Sequence, residues 1–292
     1  YFDAQGRELD IPAGPDSIRA LALALDRGPV SCSLDRMPQD HREALPTISP
    51  NVMLPFTRHG IDPFRDRFEI ALRGEGTVRG IGGLRVAGDD CQTTVPGLFV
   101  AGDAASRERV AGAVSGGGSI NSAWALSSGL WAGAGAARHA RDHDAPRGLL
   151  EAAGTLTLRS GRATRAAPDD ATLTRIVREL QTPMLHPMQI LFRQQQALTQ
   201  ASELLEGHWQ ELQQRVPAEG ALRLKARQTA AMVASARWIT LAAQTRRESR
   251  GMHLRSDLPH TDPAQTHRLS VGGLHKLWIR PHAVVQPIGA TA

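Results

Sequence analysis

Residues 93–129, TTVPGLFVAGDAASRERVAGAVSGGGSINSAWALSSG, restrict what this chain can fold into more than any other stretch. Thr94 opens a turn with Pro96 and Gly97, and Leu98, Phe99, Val100 and Ala101 follow as an apolar run. The run has the length of a buried parallel strand. It ends in Gly102-Asp103, which puts a carboxylate at the sheet edge where open α/β folds take their ligands. An acid there accepts hydrogen bonds from sugar-like hydroxyls, and Gly102 lets a ligand approach the backbone. Ser-Gly-Gly-Gly-Ser at 115–119 then leads into about twenty residues of helical composition rich in Ala and Ser. A Gly-rich turn feeding a helix presents free N–H groups to an anion or an electron-rich ring oxygen. Either segment alone fits an ordinary strand, loop and helix. In this order they fit the closing half of a flavin-nucleotide site.

Two further stretches join this one. Gly80-Ile81-Gly82-Gly83-Leu84 precedes it, and residues 245–259, TRRESRGMHLRSDLP, lie far downstream. Together they resemble the succinate dehydrogenase/fumarate reductase flavoprotein superfamily, which includes L-aspartate oxidase and the adenylylsulfate reductase α subunit. The downstream stretch is similar to the family's R-x-E-S-R-G-x-H-x-R-x-D-x-P signature and is the most specific of the three. The resemblance runs loosely from Gly28 to about residue 260.

It implies FAD as cofactor, an α/β FAD-binding domain represented by its C-terminal part, a remnant of a capping domain and a C-terminal helical domain. The expected boundaries are 1–79 for the capping part, 80–146 for the FAD-binding part, 147–169 for a linker and 170–292 for the helical domain. Gly82 and Gly83 would allow close approach to the flavin ring, and Gly102 with Asp103 would hold the ribityl chain. Ser119, Ile120, Asn121 and Ser122 would offer backbone N–H groups to the pyrimidine edge, where negative charge builds on reduction. A dinucleotide site also needs a G-x-G-x-x-G turn after its first strand. None occurs near the N-terminus, and residues 2–8 read as a hairpin inside a capping domain, so the expectation is the C-terminal half of a longer flavoprotein.

The substrate residues of dicarboxylate-using relatives do not carry over. Where those relatives have His-Tyr, this chain has Thr77-Val78-Arg79-Gly80; where they have Asn-Arg, it has Val114-Ser115-Gly116. Arg73-Gly74-Glu75-Gly76 copies the family's catalytic Arg motif but stands too close to Gly82-Gly83, and is read as coincidence. Succinate and fumarate are therefore not the expected substrates. Arg79, His253 and Arg255 remain as candidate catalytic residues. Glu248, Arg250 and Asp257 fit better as an ion-pair lattice docking the helical domain, which favours a unique geometry more than stability. Within the superfamily the chain resembles the branch nearer adenylylsulfate reductase, which passes electrons to a ferredoxin-like iron–sulfur subunit.

Composition narrows the remaining classes. The 292 residues suffice for about two domains. Net charge is +5, but the Arg residues are scattered among acids, which favours a solvated surface over a nucleic-acid face. Such a field suits a small anionic substrate. Cys32 and Cys91, the two cysteines, cannot hold an iron–sulfur cluster, which takes four ligands. A reducing cytoplasm is the default compartment. No apolar run reaches the 18 or more residues of a membrane span. Two rivals remain: a non-catalytic flavoprotein remnant that docks a redox partner, and a basic nucleic-acid-binding protein. His59, His186 and His208 are isolated, without metal-ligand spacing.

Periodicity supplies the rest. A helix is expected over 16–25, strands over 30–34 and 68–72, and a turn at Gly60-Ile61-Asp62-Pro63. Asp169 and Asp170 are helix caps. Leu191, Leu198, Ala201, Leu205, Trp209 and Leu212 mark one apolar face. Leu222, Ala226, Met232, Val233, Ala236, Ile239 and Ala243 mark a second, with Pro217 and Gly220 between them.

Overall fold

The computed structural model describes residues 1–13, 16–74, 82–107, 110, 119–144, 165–215 and 219–282. The chain divides into two compact units, Tyr1–Gly74 and Glu75–Ala292. The expected linker lies largely outside the described residues, as do Arg79 and the glycine run before Ser119.

In the first unit, Phe2 bridges both Glu8 and Ser31, so the N-terminal hairpin forms and joins the sheet. Helix α1 (Ser17–Arg27) leads to strand β1 (Val30–Cys32). β1 pairs antiparallel with β2 (Phe68–Ile70), Val30 facing Ile70. Between them lie two helices the sequence pattern does not predict, α2 (Gln39–Ile48) and α3 (Pro50–His59). Their prolines conceal them. Pro50 sits at the start of α3, where a missing N–H costs nothing, whereas Pro46 and Pro55 interrupt the two interiors. Gly60, at φ 66°, ends α3 by giving its N–H to Phe56 and Thr57.

The second unit opens with short bridges. Gln92 pairs antiparallel with Phe99, and Leu84 pairs parallel with Ala105. The expected buried parallel strand over Leu98–Ala101 is therefore corrected. Val100 is buried, but Leu98 is 44% exposed, and the run's described neighbour is the short antiparallel arm at 91–93. A buried parallel strand needs partners on both sides, and none flanks the other side among the described residues. Helix α4 (Ser119–Asp142) follows as expected and is tied to the arm by Arg138, 3.3 Å from Asp90.

A helical bundle fills the remainder. α5 (Asp170–Leu185) begins at Asp169, whose side chain accepts the Thr172 N–H. After the short α6 (Pro187–Leu191) come α7 (Gln195–Gln213) and α8 (Leu222–Thr245). Leu173, Ile176, Leu180, Leu205, Trp209, Leu212 and Val233 interdigitate in one core. The first predicted face is wholly buried. The second needs one correction: Met232 is 40% exposed. Burial on α8 instead follows Ala226, Thr229, Ala230, Val233, Ala236, Arg237 and Thr240, spaced by three and four, and Met232 falls off that stripe. The hairpin β3 (Arg268–Gly272) to β4 (Trp278–His282) is fastened over α8. Its turn carbonyls accept hydrogen bonds from Trp238 and Arg237 at 2.7 and 2.6 Å.

Candidate cofactor site

The Gly102–Ala104 turn and the start of α4 meet at one point. Ala101 is extended, and Gly102, at φ 60°, turns the chain sharply into a short 3-10 turn. Such a backbone suits Gly, and a Cβ here would meet nothing within 4 Å. Two side chains of α4 hold the turn. The Gly102 N–H donates to Ser128 Oγ at 2.9 Å, and Trp124 Nε1 donates to the Gly102 carbonyl at 3.0 Å. Asp103 is left exposed at the lip.

Behind the turn, the Leu84 N–H donates to Ala104 and the Ser106 N–H to Leu84, at 2.8 and 2.9 Å. Gly83, at φ 91°, lies so close that a Cβ would stand 2.5 Å from the Ala104 carbonyl oxygen. Its missing side chain thus makes room for the crossing backbone. Gly82 is half-buried beside it.

Ser106 and Arg107 then turn inward, 7% and 1% exposed. The Arg107 guanidinium donates to Asn121 Oδ1 in the first turn of α4, while Ser106 Oγ is buried without a hydrogen-bond partner among the described residues. The structure thus gathers Gly82, Gly83, Gly102, Asp103 and Asn121 into one region. Ser122 is exposed on α4; Ser119 and Ile120 form its first residues. Sequence reading missed Ser106, Arg107, Trp124 and Ser128. The one signal for Arg107 was its position four residues beyond Asp103.

The downstream signature builds a second polar centre. Glu248 is fully buried and receives Arg246 and Arg250, each at 2.8 Å, together with the Asp262 N–H. Burial alone would raise its carboxyl. The hydrogen bonds from Arg250, Asp262 and Arg246 outweigh that and hold it at about 2. Arg255, itself buried, grips Asp257 with two bonds of 2.7 Å, and Asp257 also accepts the Gln195 N–H. Arg255 holds that carboxyl at about 2. The expected single lattice is therefore two clusters, because Glu248 takes Arg246 and Arg250 while Asp257 takes Arg255.

His253 Nε2 lies 3.1 Å from the Arg246 carbonyl and must carry the proton to donate there. Burial, then the nearby Arg193 charge, lowers it to about 4. His208 is lowered by burial as well, against the opposing pull of Glu179. Among the described residues, no group of three or more His, Cys, Asp or Glu could hold a metal. No described helix is long and apolar enough to cross a membrane.

These shifts set the acid response. His253 is neutral in the fold, so protons favour the unfolded chain, and its contribution is lost as pH falls from 6.5 towards 4. The carboxyls of Glu248 and Asp257 are depressed; their contribution is full above the unfolded carboxylate range and is lost towards pH 2. Urea midpoints against pH should show both losses. His253→Gln should flatten the upper window and leave the lower one. An unchanged slope between pH 6.5 and 4 would contradict the burial of His253.

Residues 177–279 match the family described as fumarate reductase flavoprotein C-term. An L-aspartate oxidase of Rhodospirillum rubrum is 66% identical over 38 residues, 13% of this chain and 14% of that protein. The fold matches E. coli quinol fumarate reductase FrdA with a TM-score of 0.62 at 16% identity, covering 97% of this chain and 54% of that one. Mycobacterium smegmatis Sdh1 gives 0.62 at 20%, covering 98% and 50%. A quinol-fumarate reductase solved with menaquinol gives 0.67 at 15%, covering 98% and 55%. The chain spans about half the length of these structures.

Proposed function

We propose that this chain, whose residues 177–279 match the fumarate reductase flavoprotein C-terminal family, completes the FAD site of a longer FAD-dependent oxidoreductase. The observation that carries this reading is the joint between the Gly102–Ala104 turn and α4, which leaves an open backbone, an exposed acid and a helix N-terminus side by side. These residues fit a flavin nucleotide: Ser106 Oγ is a buried hydroxyl with no hydrogen-bond partner among the described residues, as expected of a group meant to meet a ligand.

The flavin, when bound, supplies the redox chemistry by exchanging a hydride with substrate. Asp103 accepts hydrogen bonds from the ribityl hydroxyls. The first N–H groups of α4 face the pyrimidine edge. Trp124 and Ser128 hold the turn rigid, so that Asp103 and the helix keep their spacing. His253 and Arg255 serve this arrangement by positioning the signature loop, since their polar groups are engaged within it. Leu126, Leu130 and Trp131 on α4 are 68, 66 and 49% exposed, an apolar surface that the remainder of an FAD domain would bury. The substrate is a small anion, and an iron–sulfur subunit is the expected electron partner.

Asp103→Ala in the complete protein should weaken FAD binding about ten- to a hundred-fold, the loss of one charge-assisted hydrogen bond of about 1.5–3 kcal/mol. Titration of apoprotein with FAD, followed by flavin fluorescence, measures it. Unchanged affinity would remove Asp103 from the site.

A further inference from the structure

From Pro263 onward the sequence contains no Asp or Glu, yet it holds three residues that are Lys or Arg and three that are His. Five of these six lie between Arg268 and His282, on the β3–β4 hairpin. Side chains alternate between the two faces of a strand, so Trp278, Arg280 and His282 share one face of β4. The register sets Gly272 opposite Trp278 and Ser270 opposite Arg280 on that face. Val271 and Ile279, paired on the other face, are half-buried. Lys276, Trp278 and Arg280 are exposed. Neither Lys276 nor Arg280 forms an ion pair among the described residues, and the sequence from Pro263 onward has no acid to offer them.

The indole holds one of these cations in place. A Cβ on Gly272 would stand 2.3 Å from Trp278 Cζ2, so the ring lies across bare backbone. The Arg280 guanidinium sits 5.0 Å from the centre of that ring. Stacking of this kind fixes the guanidinium plane and leaves its N–H edge for a planar two-oxygen acceptor. Trp and Arg are also the residue types that carry most of the binding energy in protein interfaces.

We propose that this face of the hairpin is a docking surface for an acidic protein segment, whose carboxylates pair with Arg280 and Lys276 around the Trp278 ring. Charge decides the occupant. A second copy of this chain, at net charge +5, brings more charge of the same sign. Nucleic acid would stack its bases on open rings, whereas this ring is engaged by Gly272 and Arg280. A membrane anchor buries its aromatic side chain in lipid, and Trp278 lies back across its own sheet. A carboxylate needs only the fixed guanidinium edge, with the Lys276 charge two residues before the indole.

The test is fluorescence anisotropy of a labelled oligoglutamate peptide titrated with the complete protein at low ionic strength. Arg280→Glu should raise the dissociation constant about tenfold or more, since it sets like charges face to face. Trp278→Ala, which leaves net charge unchanged, should raise it about threefold by releasing the Arg280 side chain. Arg58→Glu, the same charge change at an exposed site on α3 in the first unit, should alter it less than about twofold. Lys276→Glu, in the hairpin turn, should reproduce the loss where a β4 variant fails to fold. Equal weakening by Arg58→Glu and Arg280→Glu would show that net charge alone attracts the peptide, and would overturn the proposal. So would a wild-type protein that binds no peptide, or a folded Trp278→Ala protein that binds it unchanged. Tighter binding to phosphatidylserine vesicles or to single-stranded DNA than to the peptide, lost in Arg280→Glu, would overturn it in favour of a membrane or a nucleic acid.

Discussion

Replacing Glu248 with Ala is expected to destabilise the helical half of the chain by about 3–5 kcal/mol, as for breaking a buried ion pair from one side. The carboxylate is fully buried and is the shared acceptor for Arg246, Arg250 and the Asp262 N–H. Its removal leaves two part-buried guanidinium groups without their shared carboxylate. It also frees the loop that joins the end of α8 to the Asp262 turn. Urea unfolding followed by circular dichroism measures the loss. The exposed acid Glu203 on α7, changed to Ala, should move stability by no more than about 0.5 kcal/mol. A loss below about 1 kcal/mol for Glu248→Ala would contradict the packing of the signature loop.

The second large effect concerns substrate class. Capture of a four-carbon dicarboxylate needs donors at both ends, and the stretches at 77–80 and 114–116 lack the His and Arg that relatives use. One lost clamp costs about a hundred-fold or more in transition-state binding. The complete protein, with FAD bound, should therefore show negligible succinate oxidation and fumarate reduction. Turnover of either at ordinary enzyme rates, about 1–1,000 per second, would show that the substrate loops are misread.

The parts of this molecule that obey one strong local rule were legible in its sequence. The α7 face from Leu198 to Leu212 repeats at helical spacing and is buried throughout. Asp169 caps α5 because its carboxylate reaches the Thr172 N–H, a bond set by a spacing of three residues. The residues that escaped depend on distant partners. Leu98 to Ala101 has the composition of a buried strand, yet strand formation needs neighbours that composition does not supply. α2 and α3 were hidden by Pro46 and Pro55, which the chain tolerates despite the lost hydrogen bonds.

The same division runs through the candidate site. Gly102 and Asp103 announce themselves by type and order. Arg107 reads as one more arginine in an arginine-rich chain until Asn121, fourteen positions away, is seen to receive it. Gly83 was expected to allow close approach to the ring, and the packing of its backbone against Ala104 was not foreseen. The partition of Glu248 and Asp257 into two clusters likewise follows from where Gln195 and Asp262 sit.

On the function proposed above, this chain supplies one part of an FAD site whose remainder lies in a longer protein. Flavin content tests it most directly. The complete protein should carry FAD near one equivalent, read from its visible spectrum before and after acid precipitation, whereas the 292-residue chain alone should bind FAD poorly because it lacks a pyrophosphate-binding glycine turn. Stoichiometric yellow protein from this chain alone, or a complete protein devoid of flavin, would contradict the account.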